Sequence, residues 1–194
     1  MKNIIPKPSV QEVNKYLDIW NKLDNYVLQE RSLDKLFFGE FKTNNNIENI
    51  LIKSSVLNDF YSTNIFSIFS VAKHILTLNI DSRLRNGDES LVNDIANITI
   101  NNKKKRFYSF ATKYCSHHEP ELFPIYDDFV KKSLNYFIKT DKFAYVKSKD
   151  FKDYTKFKQI LTKFKEYYNL NNFSLKDIDR YLWQMGKEFF PKKY

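Results

Sequence analysis

The sequence predicts an all-α protein, and three observations carry that prediction. Apolar residues recur at helical spacing over most of the chain, as in Val10, Val13, Leu17, Trp20, Leu23 and Val27, and again in Phe151, Tyr154, Phe157, Leu161, Phe164 and Tyr168. Helix-start signals stand where such patterns begin: Ser9 lies three residues before Glu12, and Ser174 three before Asp177. No stretch sustains the period-two alternation of a half-buried strand.

The elements follow in order. Ser9 caps a helix that carries the first apolar stripe. Ser32 opens a short second helix, SLDKLFF, which Gly39 can close. TNNN at 43–46 is a polar connection. Residues 47–61 and 63–79 are apolar nearly all round, so they read as central helices buried on most faces. RNGD at 85–88 is a turn, and DESLVNDIANI after it is helical. The basic run NNKKKRF (101–107) is a loop leading into a helix over about 107–117. The stretch HHEPELFPIYDDFV (117–130) then places two prolines, Pro120 and Pro124, ahead of a helix from about 126 to 139. DKFAYVKSKD at 141–150 suits a hairpin or an irregular loop. The helix marked by Phe151 to Tyr168 follows, and the last one starts at Ser174 and buries Leu175, Ile178, Leu182, Met185 and Phe189. Read as one domain, the chain divides into N-terminal helices (1–46), central buried helices (47–100), a basic segment with its Asp loop (101–140) and C-terminal helices (141–194).

Composition bounds the function. Aromatic residues make up 17% of the 194, so the core is built heavily from Phe and Tyr. The single cysteine, Cys115, excludes an intrachain disulfide and fits a reducing compartment. No apolar run approaches the roughly 20 residues of a membrane span, and MKNIIPKPSV lacks the pattern of a secretory signal. The expectation is a soluble cytoplasmic protein with no membrane partner. Net charge is +9, and all of the excess lies in the second half. Residues 1–100 hold 11 basic against 12 acidic side chains, and residues 101–194 hold 21 against 11. That asymmetry suits a polyanion, while a composition rich in lysine and asparagine, with solvated lysines on ordinary helix faces, accounts for the same numbers.

Residues 101–134 read as loop, helix, proline-bearing loop, helix. Lys103, Lys104, Lys105 and Arg106 stand at the N-terminus of the first of these helices, where backbone N–H groups and lysines together attract phosphate. The second loop brings Tyr126, Asp127 and Asp128 to the start of the next helix. A carboxylate at that place caps a helix as readily as it does chemistry. His117 and His118 are adjacent and point about 100° apart on a helix. With no CxxC or HExxH pattern, no metal and no cofactor are expected. His74 and Cys115 read as core residues, as does Trp183, with Arg180 or Asp179 bridging helices.

The segment SFATKYC…FPIYDDFV resembles the helix-hairpin-helix DNA glycosylase superfamily, and within it the 8-oxoguanine glycosylase-like proteins. The resemblance spans about residues 50–190, with 107–130 as its motif-like part. It implies a compact helical fold of two lobes around a cleft, double-stranded DNA as the partner, and hydrolysis of the N-glycosidic bond of a damaged or modified base. By the same resemblance Asp127 is the catalytic carboxylate and Lys113 a helper, with Asp128 as the cap or surface alternative. Where that family places a glycine-rich hairpin, this chain has NNKKKR, so side-chain charge takes over the grip on phosphate. One cysteine cannot ligate the iron–sulfur cluster that some members hold. Two other readings stay open: a degenerate DNA-binding member without turnover, such as a phage-defence protein, and a module whose partner is an acidic protein.

Overall fold

A computed structural model describes residues 5–191. The chain is mostly helical. Helices α1 (Val10–Trp20) and α2 (Asp24–Asp34) lead into a π-helical turn, Lys35–Glu40, and then come α3 (Ile47–Phe60), α4 (Ile68–Thr77), α5 (Asp81–Arg85) and α6 (Ser90–Ala96). Strands β1 (Asn97–Ile100) and β2 (Lys103–Arg106) form an antiparallel hairpin. After it come α7 (Tyr108–His118), α8 (Asp128–Asp141), a 3₁₀ turn over Ser148–Lys152, α9 (Tyr154–Tyr167) and α10 (Leu175–Phe189). Among the described residues no helix is long and apolar enough to cross a membrane. The chain forms two compact units: Leu28–Ile125 is one, and the segments up to Val27 and from Tyr126 onward make the other.

In the unit built from the two chain ends, α10 packs against both α1 and α8. Ser174 and Asp177 form the reciprocal capping box that the sequence predicts at the start of α10. Ile178, Tyr181, Leu182 and Met185 make its buried stripe. The Tyr16 ring lies 5.4 Å from that of Tyr181, and Gln184 Nε2 donates to the Tyr16 carbonyl at 2.8 Å. Gly186 brings α8 and α10 into close approach, and Ser133 Oγ lies within reach of the Phe129 and Leu182 carbonyls at 2.8 and 2.9 Å. Aromatic rings fill the remainder, with Phe164 placed 5.8 Å from Phe137 and 4.9 Å from Tyr168.

In the unit Leu28–Ile125, α3 packs against α4, and α6 against α7. Ten of the eleven residues of α7 are buried. Four expectations change. Ser32 does not start a helix; it lies inside α2 and its hydroxyl donates to the Leu28 carbonyl at 2.8 Å. The helix loosens into a π turn before Gly39, and the Phe41 N–H closes it by bonding the Leu36 carbonyl at 2.9 Å. The helix expected from residue 63 begins at Ile68, because Ser62 and Asn64 take left-handed backbone angles, φ 47° and 56°, that end α3 in an irregular loop. The fold is not purely helical: Asn101 and Asn102 both adopt positive φ, 48° and 60°, and so fold NITI-NN-KKKR into a two-residue hairpin. The turn at RNGD is present, with Gly87 at φ 64°.

A methyl group at Gly186 would lie 2.7 Å from the Phe129 carbonyl oxygen and 2.8 Å from the Phe129 Cβ. Gly186→Ala therefore forces α8 and α10 apart, and about 1–3 kcal/mol of stability is lost. Chemical denaturation checks this. At Gly39 nothing lies within 4 Å of an added Cβ, so Gly39→Ala is the control that leaves the midpoint near that of the parent.

Candidate functional site

The basic run predicted as a loop is strand β2. Its four side chains and both turn residues are exposed. The register pairs Lys105 with Ile98, Lys104 with Thr99, Lys103 with Ile100 and Arg106 with Asn97. Alternation along a strand sends Lys103 and Lys105 to one face, and Lys104 and Arg106 to the other. Ile98 is buried and anchors β1 in the unit. The Arg106 guanidinium lies 4.5 Å from the centre of the Tyr108 ring and donates to Asn93 Oδ1 at 3.2 Å. A ribbon with four cations and no carboxylate results. The cations expected in a loop at the start of α7 are carried on the strand itself.

Lys113 lies on α7, one turn after Ser109 and one before His117. It is buried, with Nζ donating to Ser109 Oγ at 2.6 Å and lying 5.1 Å from the centre of the Tyr61 ring. The Tyr61 hydroxyl and His117 Nε2 are 2.9 Å apart. Ser109, Lys113 and His117 thus share one face of α7 and meet Tyr61 from the end of α3. Asp127 belongs to the other unit. Its backbone is extended, φ −138°, and its carboxylate accepts the Phe129 N–H at 2.8 Å as the cap of α8. The cap is Asp127 and not Asp128, the residue weighed for that role; Asp128 lies exposed in the first turn.

Sequence reasoning missed the most constrained polar cluster of the chain. Lys53 is fully buried in the middle of α3. Its Nζ is 2.8 Å from the Phe41 carbonyl, 3.1 Å from that of Thr43, 2.8 Å from Asn44 Oδ1 and 3.2 Å from His118 Nε2. Proton assignment follows from Asp81. Its carboxylate takes the Asn44 backbone N–H at 3.1 and 3.0 Å and Asn44 Nδ2 at 2.6 Å, which fixes the amide orientation. Asn44 Oδ1 then accepts from Lys53 and from the Tyr114 hydroxyl, the latter at 2.6 Å. Two donors, Lys53 Nζ and Asn44 Nδ2 at 3.2 Å, converge on His118 Nε2. That nitrogen is therefore unprotonated and His118 is the neutral Nδ1–H tautomer. Phe37, from the π turn, closes the cluster with its ring 4.8 Å from His118.

Electrostatics agree with that assignment. Burial, helped by the Lys53 charge, holds His118 well below the ordinary histidine range. Burial keeps the Tyr114 phenol protonated. Burial likewise pushes Lys53 down to about 7, against the pull of the Asp81 carboxylate. All four neighbours of Nζ are acceptors, so the cluster is complementary to an ammonium. One sequence signal was available: Lys53 falls on the same helical face as Ile50, Ser54 and Leu57, the buried stripe of α3. Asn44 gave none, since its partners lie 9 to 74 residues away and on three different helices.

The remaining candidates take ordinary roles. His74 Nε2 donates to the Asp94 carbonyl at 2.7 Å and ties α4 to α6. Cys115 is buried, which raises its thiol pKa and makes it unreactive. Trp183 is half-buried against Trp20, Tyr26 and Phe129, with Lys187 4.5 Å from the centre of its ring. Arg180 pairs with Asp177 at 3.5 Å within α10. Among the described residues no three His, Cys, Asp or Glu side chains converge as a metal site.

These features define a helical protein with a basic β-ribbon and a buried lysine cluster in the same unit. The chain belongs to the HI_0787_N family, described as an N-terminal domain, which it matches over residues 12–122. That segment holds the ribbon, Lys53, Lys113 and His118, and ends before Asp127. A protein of Haemophilus influenzae, described only as an uncharacterized protein, is 47% identical over 180 residues, covering 89% of this chain and 87% of that one. No solved structure matches.

Lys53→Met keeps the stem but takes the Nζ donor from the Phe41 and Thr43 carbonyls and leaves Asn44 Oδ1 and His118 Nε2 with one donor each, and folding stability drops by about 3–5 kcal/mol. Its pH dependence has a fixed sign. The folded-state pKa of Lys53 lies below the ordinary value of 10.5, so between about pH 7 and 10.5 the unfolded chain binds more protons and rising pH favours the fold. His118 acts in the same sense on the acid side. Denaturation midpoints of parent and Lys53→Met across pH 6–10 check this: the parent's advantage grows with pH, and a flat difference contradicts the assignment.

Proposed function

We propose that this chain is a DNA-binding protein that grips double-stranded DNA with the β1–β2 ribbon and hydrolyses the N-glycosidic bond of a damaged or modified base through Asp127, within a glycosylase-like helical fold. The observation that carries the reading is the ribbon: four consecutive cations, exposed on both faces of a two-stranded element. Charged side chains, lysine above all, also protect a strand edge from self-association. A cationic ribbon of this width fits the major groove and neutralises phosphates along it.

The chemistry assigned to Asp127 is the one that the resemblance implies. Breaking the bond from C1′ to the base nitrogen leaves positive charge on the sugar while the base departs with the electron pair. Water then attacks C1′, and a carboxylate beside it stabilises the charge and takes the water proton. The extended backbone at Asp127, reached through Pro124, and the bond from the Phe129 N–H fix that carboxylate in space before substrate arrives. Lys113, held by Ser109 and Tyr61, is the helper in this reading. One observation favours binding without turnover: capping α8 already gives the Asp127 carboxylate a structural task.

The test uses the full chain and a panel of duplexes carrying damaged or modified bases, scored for abasic sites by alkaline cleavage. Asparagine caps a helix as well as aspartate does, so Asp127→Asn keeps the fold and lowers the rate about 10²–10⁴-fold. Turnover equal to the parent's would end the catalytic assignment. Replacing Lys103, Lys104 and Lys105 together by alanine reduces the slope of log affinity against log salt by about 3; an unchanged slope means that the ribbon does not meet phosphate.

A further inference from the structure

Lys113 is buried, but a lysine amine stands on a flexible stem, and burial alone does not fix its place. One contact is local: Ser109, one turn earlier on α7, accepts from Nζ at 2.6 Å. A single hydrogen bond within one helix still lets the amine swing about it. The second contact comes from another element. The centre of the Tyr61 ring lies 5.1 Å from Nζ, and the face of an aromatic ring attracts an ammonium.

Tyr61 is itself tethered at both ends. It is the residue that closes α3, its N–H bonding back to the Leu57 carbonyl at 3.1 Å, and Ser62 beyond it turns the chain away with φ 47°. Tyr61 is 37% exposed, so a ring held only by its backbone could turn toward water. Its hydroxyl reaches inward instead, to 2.9 Å from Nε2 of the buried His117. The Phe37 ring backs that imidazole, with centres 5.4 Å apart. Residues four apart are neighbours on a helix face, and α3 packs against α7. One tyrosine therefore spans two successive turns of α7, with its ring on Lys113 and its hydroxyl on His117.

We infer that Tyr61 is a positioning residue for Lys113: the ring, locked by His117, holds the amine against Ser109 in the place from which it assists excision. The inference rests on the reading of Lys113 as the helper in base excision and adds the residues that fix it. Such positioning acts on rate and not on affinity for DNA, because a displacement of about 1 Å near the chemistry costs up to about 10²-fold. The cations of the ribbon, which carry the affinity, are untouched by it.

The experiment uses the full chain with isotope-labelled lysine. It compares the parent with Tyr61→Leu, which removes the ring, Tyr61→Phe, which removes only the hydroxyl, and His117→Gln, which keeps a polar partner for that hydroxyl. Lys113→Met assigns the Lys113 resonance. Three quantities are read: the shift of the Lys113 Cε group, which an aromatic face displaces upfield, the single-turnover excision rate on the panel of damaged-base duplexes, and duplex affinity with its salt slope. The expected result is that Tyr61→Leu loses the upfield displacement and up to about 10²-fold in rate. Tyr61→Phe falls between it and the parent on both readouts, His117→Gln stays close to the parent, and affinity and slope are the same in all of them. Should Tyr61→Leu fail to fold, Tyr61→Phe decides alone, since it takes one oxygen from a partly exposed ring. A Lys113 resonance that stays in place when Tyr61 is changed overturns the inference and leaves excision standing. So does a parent-like excision rate in a variant whose resonance has moved. A parent that excises none of the bases ends the excision reading and the positioning role together.

Discussion

The structure of the unit Leu28–Ile125 depends on one buried lysine amine. Lys53 draws together the π turn, through the Phe41 carbonyl, the 43–46 connection, through Thr43 and Asn44, and the end of α7, through His118. A buried cation must be surrounded by acceptors or it unfolds its host. That requirement explains several local features at once. The 43–46 segment, polar in composition, is folded inward with Asn44 buried, and its amide accepts from Lys53 and donates to Asp81. The helix before it ends in a π turn because a carbonyl has to point at α3. His118 stays neutral because it is buried, and because a positive charge 3.2 Å from Lys53 Nζ would be repelled.

That constraint bears on the rest of the unit. His118 is the last residue of α7, and α7 carries Ser109, Lys113 and His117 on one face. Fixing its C-terminal end and burying nearly all of its length leaves little freedom for the side chains in between. The contrast with the surface elements is sharp, because the ribbon and the Phe66 loop put their side chains into water while their backbones stay pinned by Ile98 and Ile65.

The helices were legible because their signals are local. Ser9, Asp153 and Ser174 each accept from a backbone N–H three residues on, and the apolar stripes between them survive into the core. The hairpin was illegible for an equally physical reason. Leu91, Val92, Ile95 and Ile98 keep helical spacing, so the pattern runs past Ala96, where the helix stops. Two four-residue strands are too short to establish a period of their own. Asp127 and Asp128 could not be told apart as caps by spacing alone; the choice depends on where the extended backbone after Pro124 gives way to helix. Lys53 was hidden by its setting, since a helix apolar on most faces leaves one lysine looking like a stray surface residue.

The chain has only three glycines, and this bears on how it handles positions that usually demand one. Among the described residues, seven other than glycine adopt positive φ, and five of them are asparagines: Asn64, Asn79, Asn101, Asn102 and Asn169. Asparagine tolerates the left-handed region because its short amide bonds locally to the backbone, at a cost that other side chains cannot offset. An Asn-Asn tip therefore makes the same tight turn as a glycine-rich one, and the absence of glycine from NNKKKR does not prevent a hairpin. The consequence is chemical. A glycine tip leaves the backbone N–H groups uncovered, whereas Asn101 and Asn102 add exposed side chains to the turn. Any grip on a polyanion at this hairpin must come from Lys103, Lys104, Lys105 and Arg106, acting as charges at side-chain length and hence tolerant of sequence.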